Sequence, residues 1–339
     1  MMSTYLVVRT HGMITRLLPP DIISQLAYAK DLRDVISILT MTDYRNYLDR
    51  VETLSAESLY HIFKKVLINR FEKVISIAKG VYRDFLIEYA RIFEIENILM
   101  ILVHKFSKEP IDPKKLLILS FSKVDYDALI NATDFDTAVK ILRNDPIYYK
   151  IRDEIVSLAR EYASILPIEY ELYRIRYERI FKLLKRKEFI GIRKSLENIF
   201  GLEIDILNIF IVLSPFVYEY TPSLIASLLL PLGLELHLNK LKKILEEKRR
   251  SEIIEYLRSY ANIVEYILAK TDADAYILAQ KMIRERLLKD KIPNFTNIFY
   301  VILYLKACEY EFRDLSLIIH AIEYNIPRNK VITKLINSP

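Results

Sequence analysis

Apolar side chains recur along this chain at the spacing of a helix rather than of a strand. Leu26, Leu32, Val35, Ile36 and Leu39 follow a period near 3.6. So do Leu59, Ile62, Phe63, Val66 and Leu67, in a segment opened by Ser55-Ala56-Glu57-Ser58. Arg83 to Lys105 reads as one long helix. Leu172, Tyr173, Tyr177, Ile180, Phe181 and Leu184 share one face of the 172–184 segment. No pair of alternating apolar and polar runs suggests a hairpin, so the pattern predicts an all-α fold. Punctuation falls at five places. Pro19-Pro20-Asp21 starts a helix, with Asp21 as the expected cap, and Gly80 marks a break. Glu109-Pro110-Ile111-Asp112-Pro113 is the clearest linker, and Thr221-Pro222-Ser223 and Lys291-Ile292-Pro293-Asn294 are further interruptions.

The pattern also repeats. Phe93-Glu94-Ile95-Glu96-Asn97-Ile98, Ile204-Asp205-Ile206-Leu207-Asn208-Ile209 and Tyr310-Glu311-Phe312-Arg313-Asp314-Leu315 each read apolar, acid, apolar, any, Asn or Asp, apolar. Their spacings are 111 and 106 residues. A second element recurs before each. Leu32 to Leu39 is followed by Tyr44, Phe135 to Leu142 by Tyr148, and Ser251 to Leu257 by Tyr260. With the linkers, this divides the chain into sections 1–108, 109–220 and 221–339, read as three similar helical bundles. Residues three apart on a helix are neighbours. Glu94 with Asn97, Asp205 with Asn208, and Glu311 with Asp314 therefore form three paired polar patches. Each pair either lies on a solvated face or bonds a neighbouring helix and fixes how helices assemble within its domain.

Composition supports long helices and few tight turns, because only 5 of the 339 residues are glycine. Few Gln residues beside many Ile, Lys, Arg and Tyr resemble a thermophile's composition. Cys308, the only cysteine, excludes an intrachain disulfide and reads as a small buried hydrophobe. The start of the chain lacks the basic and apolar regions of a signal peptide. Residues 206–234 are the most apolar stretch, but Glu219, Pro215, Pro222 and Pro231 interrupt it, so buried core helices are expected instead of a membrane span.

No phosphate-binding loop, metal-ligand spacing or nucleophile motif occurs, and the five histidines are scattered. No catalytic, cofactor-binding or metal-binding residue is assigned. The net charge of +6 is mild, but its distribution is not. Arg174, Arg176, Arg179, Lys182, Lys185, Arg186 and Lys187 form the strongest basic run. The apolar side of this helix is expected to pack inward, leaving a basic face that is either simply solvated or docks onto an acidic protein surface or a nucleic acid. Lys240, Lys242, Lys243, Lys248, Arg249 and Arg250 form a second run.

Tyr5-Leu6-Val7-Val8-Arg9, Leu17-Leu18, Thr42-Asp43-Tyr44, the first and third hexapeptides and Ile326-Pro327-Arg328-Asn329-Lys330-Val331-Ile332 together give the chain its likeness to a family. Over its whole length it resembles the C subunit of archaeal A-type rotary ATP synthases, the equivalent of the d subunit of vacuolar ATPases. Val103 and Ser316 stand where that family commonly has Arg, which removes a basis for assigning those two positions a role. The resemblance implies three similar helical domains in a pseudo-threefold funnel. It implies a non-catalytic rotor part between the central shaft and the proteolipid ring, coupling proton or sodium transport to ATP synthesis. It further implies a peripheral place on the cytoplasmic face of the membrane, no cofactor and no homo-oligomer. On the residues alone, a helical scaffold outside any motor and a basic nucleic-acid-binding protein remain alternatives.

Overall fold

The computed structural model describes residues 2–48, 53–214, 220–247, 250–269 and 271–337. All regular structure among them is helical. Pro215 and Glu219, which interrupt the apolar stretch, and Lys248 and Arg249 of the second basic run lie outside the described residues.

The chain divides into two compact units. One combines Met1–Tyr82 with Tyr276–Pro339; the other is Arg83–Ala275. In the first, the long Ile298–Glu323 helix packs along Ala56–Ile77 and against Met2–Ile14. Its core interleaves the two ends of the chain: Leu26, Val35, Leu39 and Phe63 meet Leu315, Ile319, Val331 and Leu335, all buried. In the second unit, Gly80–Ser107, Leu166–Leu184 and Arg193–Leu213 are the long helices, and shorter ones fill the connections. The Arg193–Leu213 helix is buried along most of its length, as expected for residues 206–213.

Local signals act as elementary stereochemistry requires. Ser55 caps the Ala56–Ile77 helix by accepting from the Ser58 amide, and Asp31 caps Leu32–Leu39 through the amides of Arg33 and Asp34. Gly80 adopts φ +57°, which a side chain disfavours, and separates two long helices. Asp21 is not a cap. Pro19 occupies that position without a side-chain bond, and Asp21 sits in the first turn, where it complements the helix dipole instead. Leu172, Tyr177, Ile180, Phe181 and Leu184 are buried as the spacing predicts, and Tyr173 is half-buried.

Cys308 is 1% exposed, and burial pushes its thiol up to about 12. It is therefore a protonated core residue at neutral pH.

Candidate functional sites: three polar knots and a basic helix

Each hexapeptide lies on one of the longest helices, and its acid is buried. Glu94 is 2% exposed, Asp205 0% and Glu311 2%. Buried carboxylates need donors, and all three have them. One donor is shared in kind. Tyr148 donates its hydroxyl to Glu94 at 2.7 Å, Tyr260 to Asp205 at 2.7 Å and Tyr44 to Glu311 at 2.7 Å. These tyrosines are the ones that follow the short recurring helix, so the two recurring elements of the sequence meet in space. The pairing runs backwards along the chain. Tyr148 and Tyr260 bond the hexapeptide that precedes them, by 54 and 55 residues, whereas Tyr44 bonds the last one, 267 residues away.

The remaining donors differ. Glu94 accepts from Arg91 at 2.7 Å and from the Ser122 hydroxyl at 2.6 Å. Asp205 accepts from the backbone amides of Glu235 at 2.7 Å and Leu236 at 3.2 Å. Glu311 accepts from the Leu18 amide and from the Arg70 guanidinium. Burial, followed by the adjacent carboxylate, raises the pKa of all three tyrosines, which keeps them protonated donors. Burial opposes the charge of Arg70, but Glu311, with smaller contributions from Tyr44 and Cys308, more than offsets it and raises that pKa.

The second residue of each pair holds backbone. Asn97 accepts from the Leu117 amide at 2.7 Å and donates to the Leu117 carbonyl at 2.9 Å. Asn208 does the same with Leu230, at 2.8 Å and 2.9 Å. A carboxamide matches both groups of one peptide residue, which a carboxylate, an acceptor only, does not. The third knot has Asp314 instead, and its partners are two amides, Ile336 at 2.7 Å and Asn337 at 2.9 Å. All six residues are thus buried and not solvated. Their partners are connecting backbone, a tyrosine in each knot, the side chains of Arg91 and Ser122 in the first knot, and Arg70 of the neighbouring Ala56–Ile77 helix in the third.

Burial pushes the Asp314 carboxyl up to about 6, against the opposing effect of its two amide donors. Its pKa in the unfolded chain is about 3.9. A raised folded-state value means that the native protein holds this proton more tightly. The associated stability is full below the unfolded value and is lost as pH rises through about 6. The advantage of the native protein over Asp314→Asn in thermal or urea unfolding is therefore expected to shrink between pH 4 and 7.5, by about 2 kcal/mol. An advantage that stays constant or grows with pH would contradict the placement.

The basic run splits in two. Arg176 is buried and donates to the Tyr89 carbonyl at 2.9 Å. Arg174 bonds Glu171 at 3.2 Å and the carbonyls of Ser227 at 3.0 Å and Leu229 at 3.3 Å. Arg179 grips Glu88 in a bidentate pair at 2.8 and 2.7 Å, and Glu88 also takes Arg91. These three arginines hold the second unit together and are not a free face. Lys182, Lys185, Arg186 and Lys187 are exposed and make no ion pair with a described residue. In the second run, Lys240 lies over the Tyr256 ring, 4.2 Å from its centre.

Sequence reasoning missed Arg70, Arg91 and Glu88. Arg91 stands three residues before Glu94, a spacing that brings side chains together on a helix, so its part in the first knot was visible in principle. Among the described residues, no cluster of His, Cys, Asp or Glu is arranged to hold a metal, and no helix is long and apolar enough to cross a membrane.

Among the described residues, then, the chain is all-helical, and its three buried hexapeptide carboxylates are engaged by tyrosines, backbone amides, Arg70, Arg91 and Ser122. Residues 6–333 match the ATP synthase (C/AC39) subunit family, and the chain belongs to it. It is 23% identical over 332 residues to the C subunit of the A-type ATP synthase of Thermococcus onnurineus, covering 95% of this chain and 87% of that protein. It is 24% identical over 244 residues to the corresponding C subunit of Archaeoglobus fulgidus, covering 71% of this chain and 68% of that protein. The C subunit of Thermococcus kodakarensis is 23% identical over 255 residues, 74% of this chain and 68% of that protein.

Proposed function

We propose that this chain is a non-catalytic part of the central stalk of an A-type rotary ATP synthase, joining the central shaft to the membrane proteolipid ring on its cytoplasmic side. Family membership supports the parent complex. The observation that carries the finer role is the set of three knots. A torque-bearing coupling must resist shear between its helices, and each knot ties a long helix to connecting segments by buried, charge-assisted bonds.

On this reading each hexapeptide helix, with the tyrosine and connections it holds, is one of three structural repeats. The third repeat is completed by the beginning of the chain, since Glu311 takes Leu18, Tyr44 and Arg70. Such closure would keep the ends from fraying under load. The exposed basic residues Lys182, Lys185, Arg186 and Lys187 are the part of the basic run that faces a partner.

Affinity purification of the chain from native membranes, in mild detergent and low salt, is expected to recover shaft subunits and proteolipid ring. The isolated chain is expected to show no ATP turnover. Recovery of unrelated proteins only, or turnover abolished by a point substitution in this chain, would overturn the proposal.

A further inference from the structure

Within the second unit, a groove of about 1230 Å³ runs between the Gly80–Ser107 and Leu166–Leu184 helices and the loops at 120–123 and 146–147. Seven cations and two carboxylates line it. Glu88 is already neutralised by Arg91 and Arg179. Arg83, Lys123, Lys182, Lys185 and Arg186 make no ion pair with a described residue. Arg193 occupies the last carbonyls of the Leu166–Leu184 helix, at 2.6 Å from that of Leu184 and 2.8 Å from that of Lys185. Those carbonyls therefore do not require the nearby Lys185 and Arg186 side chains as caps.

Ile87, Phe121, Ile147 and Leu183 give the groove an apolar part of its lining. Cations are contributed from both helices: Arg83 from Gly80–Ser107, Lys182 from the last turn of Leu166–Leu184, and Arg186 from just beyond its end. A single phosphate would leave most of this space empty. A helix of roughly 10–12 Å diameter and 5.4 Å pitch occupies such a volume in two to three turns.

We propose that this groove receives an acidic, amphipathic helical segment of another subunit, its apolar stripe on Ile87 and Leu183 and its carboxylates between Arg83 and the Lys182–Arg186 end. The proposal rests on the rotary-complex reading above and adds the place and chemistry of one contact.

The test is site-directed photocrosslinking in the co-expressed complex. Pro146 is exposed at the rim of the groove. Because Cys308 is buried, Pro146→Cys supplies the single accessible thiol for a benzophenone maleimide. The expected adduct joins residue 146 to a partner segment whose acids and apolar residues fall on opposite helical faces. Adding Lys182→Glu and Arg186→Glu should lower its yield per recovered complex at least tenfold, with circular dichroism unchanged.

If the Pro146→Cys protein recovers no rotary subunit, the function proposed above fails, and this contact with it. If subunits are recovered but the adduct is absent, persists after charge reversal, or maps to lipid, nucleic acid or a neutral segment, the groove assignment alone is wrong.

Discussion

Glu311→Ala is expected to destabilise the first unit by roughly 3–5 kcal/mol, the usual cost of removing one partner of a buried ion pair. The substitution strands three donors at once: the Arg70 guanidinium, the Tyr44 hydroxyl and the Leu18 amide. Arg70 is the worst of them, because its side chain is only 12% exposed and has no other described carboxylate within ion-pair distance. Glu311→Gln keeps acceptor capacity for Tyr44 and Leu18 but leaves that charge unpaired, so it should fall between alanine and the native protein. Glu311→Leu with Arg70→Met removes the stranded charge and should recover part of the loss, leaving only the neutral donors unsatisfied. Lys65→Ala, at an exposed position of the same unit, serves as the reference and should stay within about 0.5 kcal/mol. Urea unfolding of this series checks the order. Equal stability of Glu311→Ala and Lys65→Ala would mean that the third knot does not form.

The second large effect is steric. A Cβ added at Gly233 would stand 2.1 Å from Asp205 Oδ1 and 2.9 Å from the Leu236 carbonyl oxygen. Neither neighbour can retreat easily. Asp205 is held by Tyr260 and by the amides of Glu235 and Leu236, and Leu236 belongs to the same turn. Gly233→Ala is therefore expected to pull the turn off the carboxylate and to cost about 2–4 kcal/mol, overpacking plus the lost hydrogen bonds. The geometry makes a sharper claim through a double-mutant cycle. In an Asp205→Ala background the oxygen at 2.1 Å is gone, so Gly233→Ala should cost at least 1 kcal/mol less than in the native protein. Additive effects would show that the two residues do not touch.

Much of this architecture is legible in the sequence alone. The helical period, the three acids, the Asn or Asp three residues on, and the tyrosine after each short helix all stand there. What the sequence hides is direction. Leu117, Leu230, Ile336 and Leu18 contribute backbone groups, which every residue possesses, so nothing in their side chains marks them. The closure of the third knot had one signal: Tyr44 has no hexapeptide before it, and Glu311 has no such tyrosine after it. The basic run is less uniform than its composition suggests. At four-residue spacing, Arg176 falls on the stripe of Leu172 and Ile180 and is buried with them, whereas Lys182 and Lys185 follow Glu178 on the exposed side. The grip of Arg179 on Glu88, 91 residues away, depends on a helix pairing that no local pattern encodes.

The central claim, that this chain belongs to the rotor, is tested most directly by tethering. In the intact complex, a disulfide between an introduced surface cysteine of this chain and one on the proteolipid ring should form without competition from the buried Cys308. The account predicts that ATP-driven ion transport continues with the tether closed, because two parts of one rotor turn together. Arrest of transport on closing the tether, relieved by reduction, would place this chain on the stationary side and contradict the account.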